Sequence, residues 1–164
     1  MIKIAGINKN DVVNGEGISV SLFLQGCPFH CRGCHNPESW DPKGGTAADE
    51  KELIEEIKQA ICANGIIRNL SILGGEPFDT IQKREFLFQL FREIKNLNPK
   101  IKIFAWTGYT LEQLKQEYYM PKILNYIDYL IDGPFDINKR DVTLKWRGSS
   151  NQRIINMKEG TLWN

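Results

Sequence analysis

Leu24–Trp40 reads LQGCPFHCRGCHNPESW. It sets Cys27, Cys31 and Cys34 in C-x3-C-x2-C spacing, with Gly26 and Gly33 relaxing the backbone around them. Thiolates are the usual ligands of iron–sulfur clusters. Three thiols on a cubane of four irons leave one iron without a protein ligand, much as a catalytic zinc keeps one position free. The competing reading is a structural zinc held by Cys27, Cys31, Cys34 and either His30 or His35. Each histidine is the immediate neighbour of a cysteine, and adjacent residues seldom both reach one tetrahedral ion. Zinc sites also usually draw their ligands from two separated pairs. The fourth cysteine, Cys62, lies beside a helical stripe and is expected to be a buried or half-buried free thiol.

Outward from this loop, short β-rich runs alternate with helical ones. ISVSLFLQ (Ile18–Gln25) precedes the cysteines and reads as a strand. Thr46 and Asp49 form a capping box for a helix through Ala63, with Leu53, Ile54, Ile57 and Ile61 as its apolar stripe. Asn69–Leu73 is a second strand. The next helix carries Phe86, Leu87, Leu90, Phe91, Ile94 and Leu97 on one face, with Pro99 just beyond its end. Lys102–Trp106 is a third strand, and Thr110 with Gln113 opens a helix to about Tyr119. Tyr129–Asp132 is a fourth strand, and Arg153–Met157 reads as a last one.

This order predicts an α/β fold, a mostly parallel sheet with helices as right-handed crossovers. A complete eight-unit barrel needs about 250 residues. The 164 residues here form a single domain, 1–164, and supply only part of one: an open, incomplete barrel or a wound sheet. The unusual segments each follow a strand. GCPFHCRGCHN follows the first, GGEP (Gly74–Pro77) the second, TGY (Thr107–Tyr109) the third and DGPF (Asp132–Phe135) the fourth. Ligands of barrels and open α/β sheets bind at the carboxyl ends of the strands, so the four motifs are expected on one rim.

Charge is nearly balanced, with 21 basic and 20 acidic residues and a formal net charge of +1. That gives no general attraction to nucleic acid or to an anionic membrane. MIKIAGINKNDVVNGEG has no apolar core of the signal-peptide kind, and no apolar run approaches the roughly 20 residues that span a bilayer. The expectation is a cytoplasmic protein, whose clustered thiols stay reduced and act as ligands.

C-x3-C-x2-C after one strand, with GGEP after the next, resembles the radical S-adenosylmethionine (SAM) superfamily. NGEGISVSLFLQGC, CRGCHNPESW, WTGYTLEQL, LIDGPF and RDVTLKWRGSSNQRI resemble one branch, the anaerobic (class III) ribonucleoside-triphosphate reductase-activating enzymes. The resemblance implies an incomplete βα barrel of the radical SAM type. It implies a [4Fe-4S] cluster on Cys27, Cys31 and Cys34, with SAM chelating the free iron. Gly74, Gly75 and Glu76 would take the SAM amino group, and the backbone of Gly33, Cys34 and His35 the adenine. Much of the superfamily has an aromatic residue before the third cysteine, where this chain has Gly33. The implied activity is reductive cleavage of SAM that leaves a glycyl radical on the large reductase subunit. The implied electron donor is a flavodoxin or ferredoxin. The rivals are another small radical SAM enzyme (a formate-lyase-type activase or a peptide modifier) and a non-enzymatic zinc or iron–sulfur binding module.

Asp132, Arg140, Asp141 and Arg147 are candidates for the SAM carboxylate or for the partner, against a reading as surface charge or structural pairs. Ser149, Ser150 and Asn151 read as a turn capping the rim. Trp40, Trp106 and Trp146 read as core or partner surface.

Overall fold

Ser19, Ser21 and Phe23 alternate with Val20, Leu22 and Leu24, and the two-residue period gives strand β2 (Ser19–Leu24) two unlike faces. The computed structural model describes residues 1–163. Its strands form one eight-stranded sheet. They are β1 (Ile2–Asp11), β2, β3 (Thr46–Ala48), β4 (Asn69–Gly74), β5 (Ile103–Trp106), β6 (Tyr129–Asp132), β7 (Arg153–Asn156) and β8 (Thr161–Trp163). The helices are α1 (Glu50–Ile61), α2 (Ile81–Leu97), α3 (Leu111–Leu114) and α4 (Met120–Leu124).

The spatial order is β3-β1-β2-β4-β5-β6-β7-β8. β2, β4, β5 and β6 run parallel. The pairs β1–β2, β1–β3, β6–β7 and β7–β8 are antiparallel. The sheet is thus mixed, a parallel centre between antiparallel flanks, and it is open. The parallel strands advance in one direction without reversal. Right-handed crossovers then place every helix on the same face. One core cluster confirms that placement: Leu22, Leu70, Ile72 and Ile103 of the sheet pack with Leu53, Ile57 and Ile61 of α1 and with Phe86, Leu90 and Phe91 of α2.

The opposite face carries Ser21, Ser71, Phe104 and Tyr129 in register across four strands. The β1–β2 loop folds over its lower part. Asp11 takes hydrogen bonds from the amides of Val13 and Asn14 and from the Ser21 hydroxyl at 2.6 Å. The Ser71 hydroxyl donates to the Asn14 carbonyl at 2.7 Å. Beside that loop Phe104 stacks on Tyr129, Trp146 meets Phe104 edge-on and Trp163 packs tilted against Trp146. No helix among the described residues is long and apolar enough to cross a membrane.

The predicted second, third and fourth strands lie within a residue of β4, β5 and β6, and the first of them is β2 rather than the chain's opening strand. Other features differ from expectation. β1, β3 and β8 were not foreseen, although Ile2 and Ile4 alternate with Lys3. Thr46 is in β3 and caps nothing; Asp49 alone is the N-cap of α1, accepting from the amides of Lys51 and Glu52. The Thr110–Gln113 capping box is present, but α3 ends at Leu114 and a separate α4 follows. Cys62, expected to be buried or half-buried, is exposed at the C-cap of α1.

Relocating the cap gives a direct test. Asp49→Ala removes an acceptor for two orphan amides and should cost about 1 kcal/mol in urea unfolding. Thr46→Ala should cost no more than about 0.5 kcal/mol, as for a surface site. Equal losses from the two changes would return Thr46 to the cap.

Candidate metal and cofactor centre

β2 leaves the sheet at Leu24, and the chain loops out and returns to a closed neck. The amides of Gly26 and Cys27 donate to the carbonyls of Ser39 and Trp40 at 2.7 and 3.1 Å. Gln25, buried just before the glycine, donates from Nε2 to the carbonyls of Glu38 and Asp41 at 2.9 and 2.8 Å. A turn inside the loop brings the Cys34 amide to the Cys31 carbonyl at 3.0 Å. Three thiols are thereby held on one short loop without a disulfide.

The loop forms one wall of a hollow at the carboxyl end of the parallel strands. Cys27, Cys31, Cys34 and His35 line it with Gly74, Gly75 and Glu76 after β4, and with Thr107 and Gly108 after β5. Phe23, Leu73 and Trp106 form its apolar floor, on the sheet face without helices. Gly133, Phe135 and Gln152 complete the far wall. The hollow has a volume of about 180 Å³ and is open to solvent at its mouth. All four post-strand motifs therefore meet on one rim.

The glycines of GGE are required by contact. A Cβ on Gly75 would lie 2.1 Å from the Gly26 carbonyl oxygen, and one on Gly74 2.3 Å from backbone atoms of Leu24. Their absence lets the Gly75 amide reach the Leu24 carbonyl and the Glu76 amide reach the Gly26 carbonyl, both at 2.8 Å. Glu76 is 1% exposed. Its Oε1 accepts from the Phe78 amide at 3.1 Å and the Thr107 hydroxyl at 2.7 Å, and its Oε2 from the Gly108 amide at 2.8 Å. One carboxylate thus straps the β4 exit to the β5 exit. Burial pushes its pKa up to about 7, against the pull of those three donors. Phe29 closes the other side, covering Gly108 and meeting Tyr109 edge-on at 4.8 Å.

The thiols have the surroundings of cluster ligands. Burial raises the Cys27 pKa, while the amides of Phe29 and His30 pull it back toward thiolate. The Asn36 amide donates to Cys34 Sγ at 3.4 Å. Amide donors to sulfur are among the groups that tune iron–sulfur centres. Among the described residues, no three His, Cys, Asp or Glu side chains converge as the ligands of a single ion must. Three thiols on one loop are a donor set that fits a cubane with one iron left open. His30 is stacked on Trp40 with ring centroids 4.7 Å apart. Cys62 is at the other end of the strands, beyond α1, and does not line the hollow.

Gly33 stands just behind the lining with φ +77°, and a Cβ there would meet Ile137 Cδ1 at 2.2 Å. Trp106 lines the hollow instead of the core or an outer surface. Asp132 is held by Arg153 and by the Leu111 amide, the latter at 2.7 Å. Arg147 donates to the Gln152 carbonyl, and Asp141 takes its bonds from Thr143. Arg140 and Asp141 are exposed. Asp132 and Arg147 brace the rim, and none of the four lines the hollow. Thr107 belongs to the TGY segment expected on the rim, whereas Gln25, Phe29 and Gln152 were not singled out by sequence reasoning. Only Gln25, a polar residue closing an apolar strand, left a local signal.

Residues 13–155 match the family described as 4Fe-4S single cluster domain. The chain is 39% identical over 147 residues to the anaerobic ribonucleoside-triphosphate reductase-activating protein of Pasteurella multocida, covering 88% of this chain and 90% of that one. The protein of the same name from Haemophilus influenzae is 38% identical over 151 residues, 90% and 94% of the two chains. That from Escherichia coli K12 is 32% identical over 151 residues, with the same coverage.

The strap carries a pH signature. The Glu76 carboxyl titrates at about 7 when folded and near 4.5 when free, so the folded chain holds the extra proton in between. Its contribution to stability is present at acid pH and is lost as pH rises through that window. Glu76→Gln lowers stability throughout, because an amide N–H then faces a donor, but it should flatten the fall. Urea midpoints at about pH 5 and about pH 7.5 check this. The same fall in both proteins would show that Glu76 is not its source.

Proposed function

The chain belongs to the family of anaerobic ribonucleoside-triphosphate reductase-activating proteins, and from that premise we propose that it generates a glycyl radical on the large subunit of such a reductase. Its cofactors are a [4Fe-4S] cluster and SAM. The carrying observation is three half-buried cysteines, with no fourth near them, on the wall of a hollow that also receives the GGE turn. Cys27, Cys31 and Cys34 would hold the cluster and leave one iron for SAM. When bound, the cluster supplies the single electron that cleaves SAM, and hydrogen abstraction from the partner's glycine follows.

The chain's own residues bind, orient and exclude water. A carboxylate has about four lone-pair sites, and three on Glu76 are taken by the chain. The remaining one, on Oε2, suits an N–H of the SAM amino group, with Gly74 and Gly75 keeping the turn close enough. The backbone of Gly33, Cys34 and His35 would meet the adenine. Phe23, Leu73 and Trp106 give the reacting end a dry floor.

An incomplete βα barrel of the radical SAM type suits the topology. The parallel strands progress without reversal, the helices share one face, and the hollow opens on the other. We read residues 1–164 as that one domain. An open sheet leaves a lateral approach for a polypeptide loop. The electron donor would be a flavodoxin or ferredoxin, and a cytoplasmic setting keeps the thiols reduced.

Reconstituted without air, the protein should be brown and bind about four irons. With dithionite, SAM and the large reductase, it should release 5′-deoxyadenosine and raise a glycyl-type paramagnetic signal on the reductase. Cys31→Ala should abolish cluster binding, whereas Cys62→Ala should leave iron content unchanged. Loss of iron in Cys62→Ala would overturn the three-ligand assignment. SAM cleavage with no radical on the reductase would favour another radical SAM activity.

A further inference from the structure

Lys83 lies on the first turn of α2 with its side chain only 8% exposed. Its Nζ donates to the Gly26 carbonyl at 3.0 Å and to the Glu76 carbonyl at 2.8 Å. It also stands 2.8 Å from Asp79 Oδ1. The Gly26 carbonyl belongs to the peptide whose nitrogen is that of Cys27. One ammonium therefore joins the neck of the cysteine loop, the GGE turn and the start of α2.

The Gly26 and Glu76 carbonyls call for a donor here, but not for a charged one. Burying an ammonium costs several kcal/mol before pairing, and apolar replacements of buried ion pairs are often neutral or stabilising. Met would fill much the same volume. Lys differs in placing a fixed positive charge one peptide from Cys27, with its counter-charge on Asp79, just before α2. Net charge around an iron–sulfur cluster helps to set its reduction potential. Adding an electron makes a thiolate-ligated cluster more negative, so a nearby cation favours the reduced form.

Resting on the cluster assignment above, we propose that Lys83 is a positioning residue with an electrostatic task. It locks the Cys27 end of the loop to the GGE turn and raises the potential at which the cluster accepts its electron. Asp79 opposes it. The two carboxylates nearest the ammonium thus act differently, since Asp79 offsets its charge while the Glu76 side chain faces the hollow.

The test uses the full chain, reconstituted without air, in wild-type, Lys83→Met and Asp79→Asn forms. Iron content and circular dichroism come first, then a redox titration followed by electron paramagnetic resonance. At a fixed poise, the ratio of reduced to oxidised cluster should fall at least tenfold in Lys83→Met, 59 mV for a one-electron couple. It should rise in Asp79→Asn. A purely structural lysine would change the melting temperature and leave the potential alone, so wild-type potentials in both variants overturn the proposal. A folded but iron-poor Lys83→Met supports the locking role. Should Lys83→Met fail to fold, Asp79→Asn decides: a raised potential upholds the proposal and an unchanged one overturns it. A wild-type chain that takes up no cluster would instead overturn the functional reading on which the proposal rests.

Discussion

Two main-chain segments touch where β2 and β4 leave the sheet, and the contact has no room for a methyl group. The Gly26 carbonyl oxygen occupies the place a Cβ of Gly75 would need, 2.1 Å away. That contact sets how far the cysteine loop stands from the GGE turn. Side chains could not set it as narrowly, because they relax by rotating, whereas two backbones fixed by strand pairing cannot. The register Leu24↔Gly74 carries the constraint back into the parallel sheet. The cysteine loop and the GGE turn are thus placed by the same ladder of hydrogen bonds that builds the fold.

Around this contact two buried charges of opposite sign do separate work. Glu76 reaches sideways, from the β4 exit to Thr107 and Gly108 after β5. Lys83 reaches from beneath, to the carbonyls of Gly26 and Glu76. They do not pair through their side chains: the ammonium takes the main-chain oxygen of Glu76 and leaves its carboxylate free for donors on the rim. A direct ion pair would neutralise both. Kept apart, they hold three strand exits together while one carboxylate oxygen stays turned to the hollow.

The parallel centre of the sheet was legible because each strand there is a short apolar run closed by glycine, as in NLSILGG and YLIDG. The edges were not. β3 and β8 have three residues each and bury little, so their sequences carry almost no pattern. α3 ends at Leu114 although the stretch to Tyr119 is polar and helix-tolerant, and Tyr119 takes φ +71° where the chain restarts as α4. At the site, the meeting of the cysteine loop and GGE on one rim was legible from their places after successive parallel strands. Phe29 and Gln152 were not, since their roles depend on which loops face each other across the rim. Lys83 reads in sequence as an ordinary surface cation of an amphipathic helix, and only the closeness of the two strand exits buries it.

Gly33 shows how a departure from a superfamily pattern can be resolved in three dimensions. Its φ of +77° is unfavourable for any residue with a side chain. The volume such a side chain would fill is already occupied by Ile137, from the turn that follows β6. An aromatic residue at 33 would have to expel Ile137 and strain the loop as well. Apolar cover beside the third cysteine therefore comes from the opposite wall. The cysteine loop and the β6 exit become dependent on each other, although more than 100 residues separate them in the chain. Anything that loosens the Asp132–Arg153 bonds behind that exit would reach the cysteine loop through Ile137, without touching a cysteine.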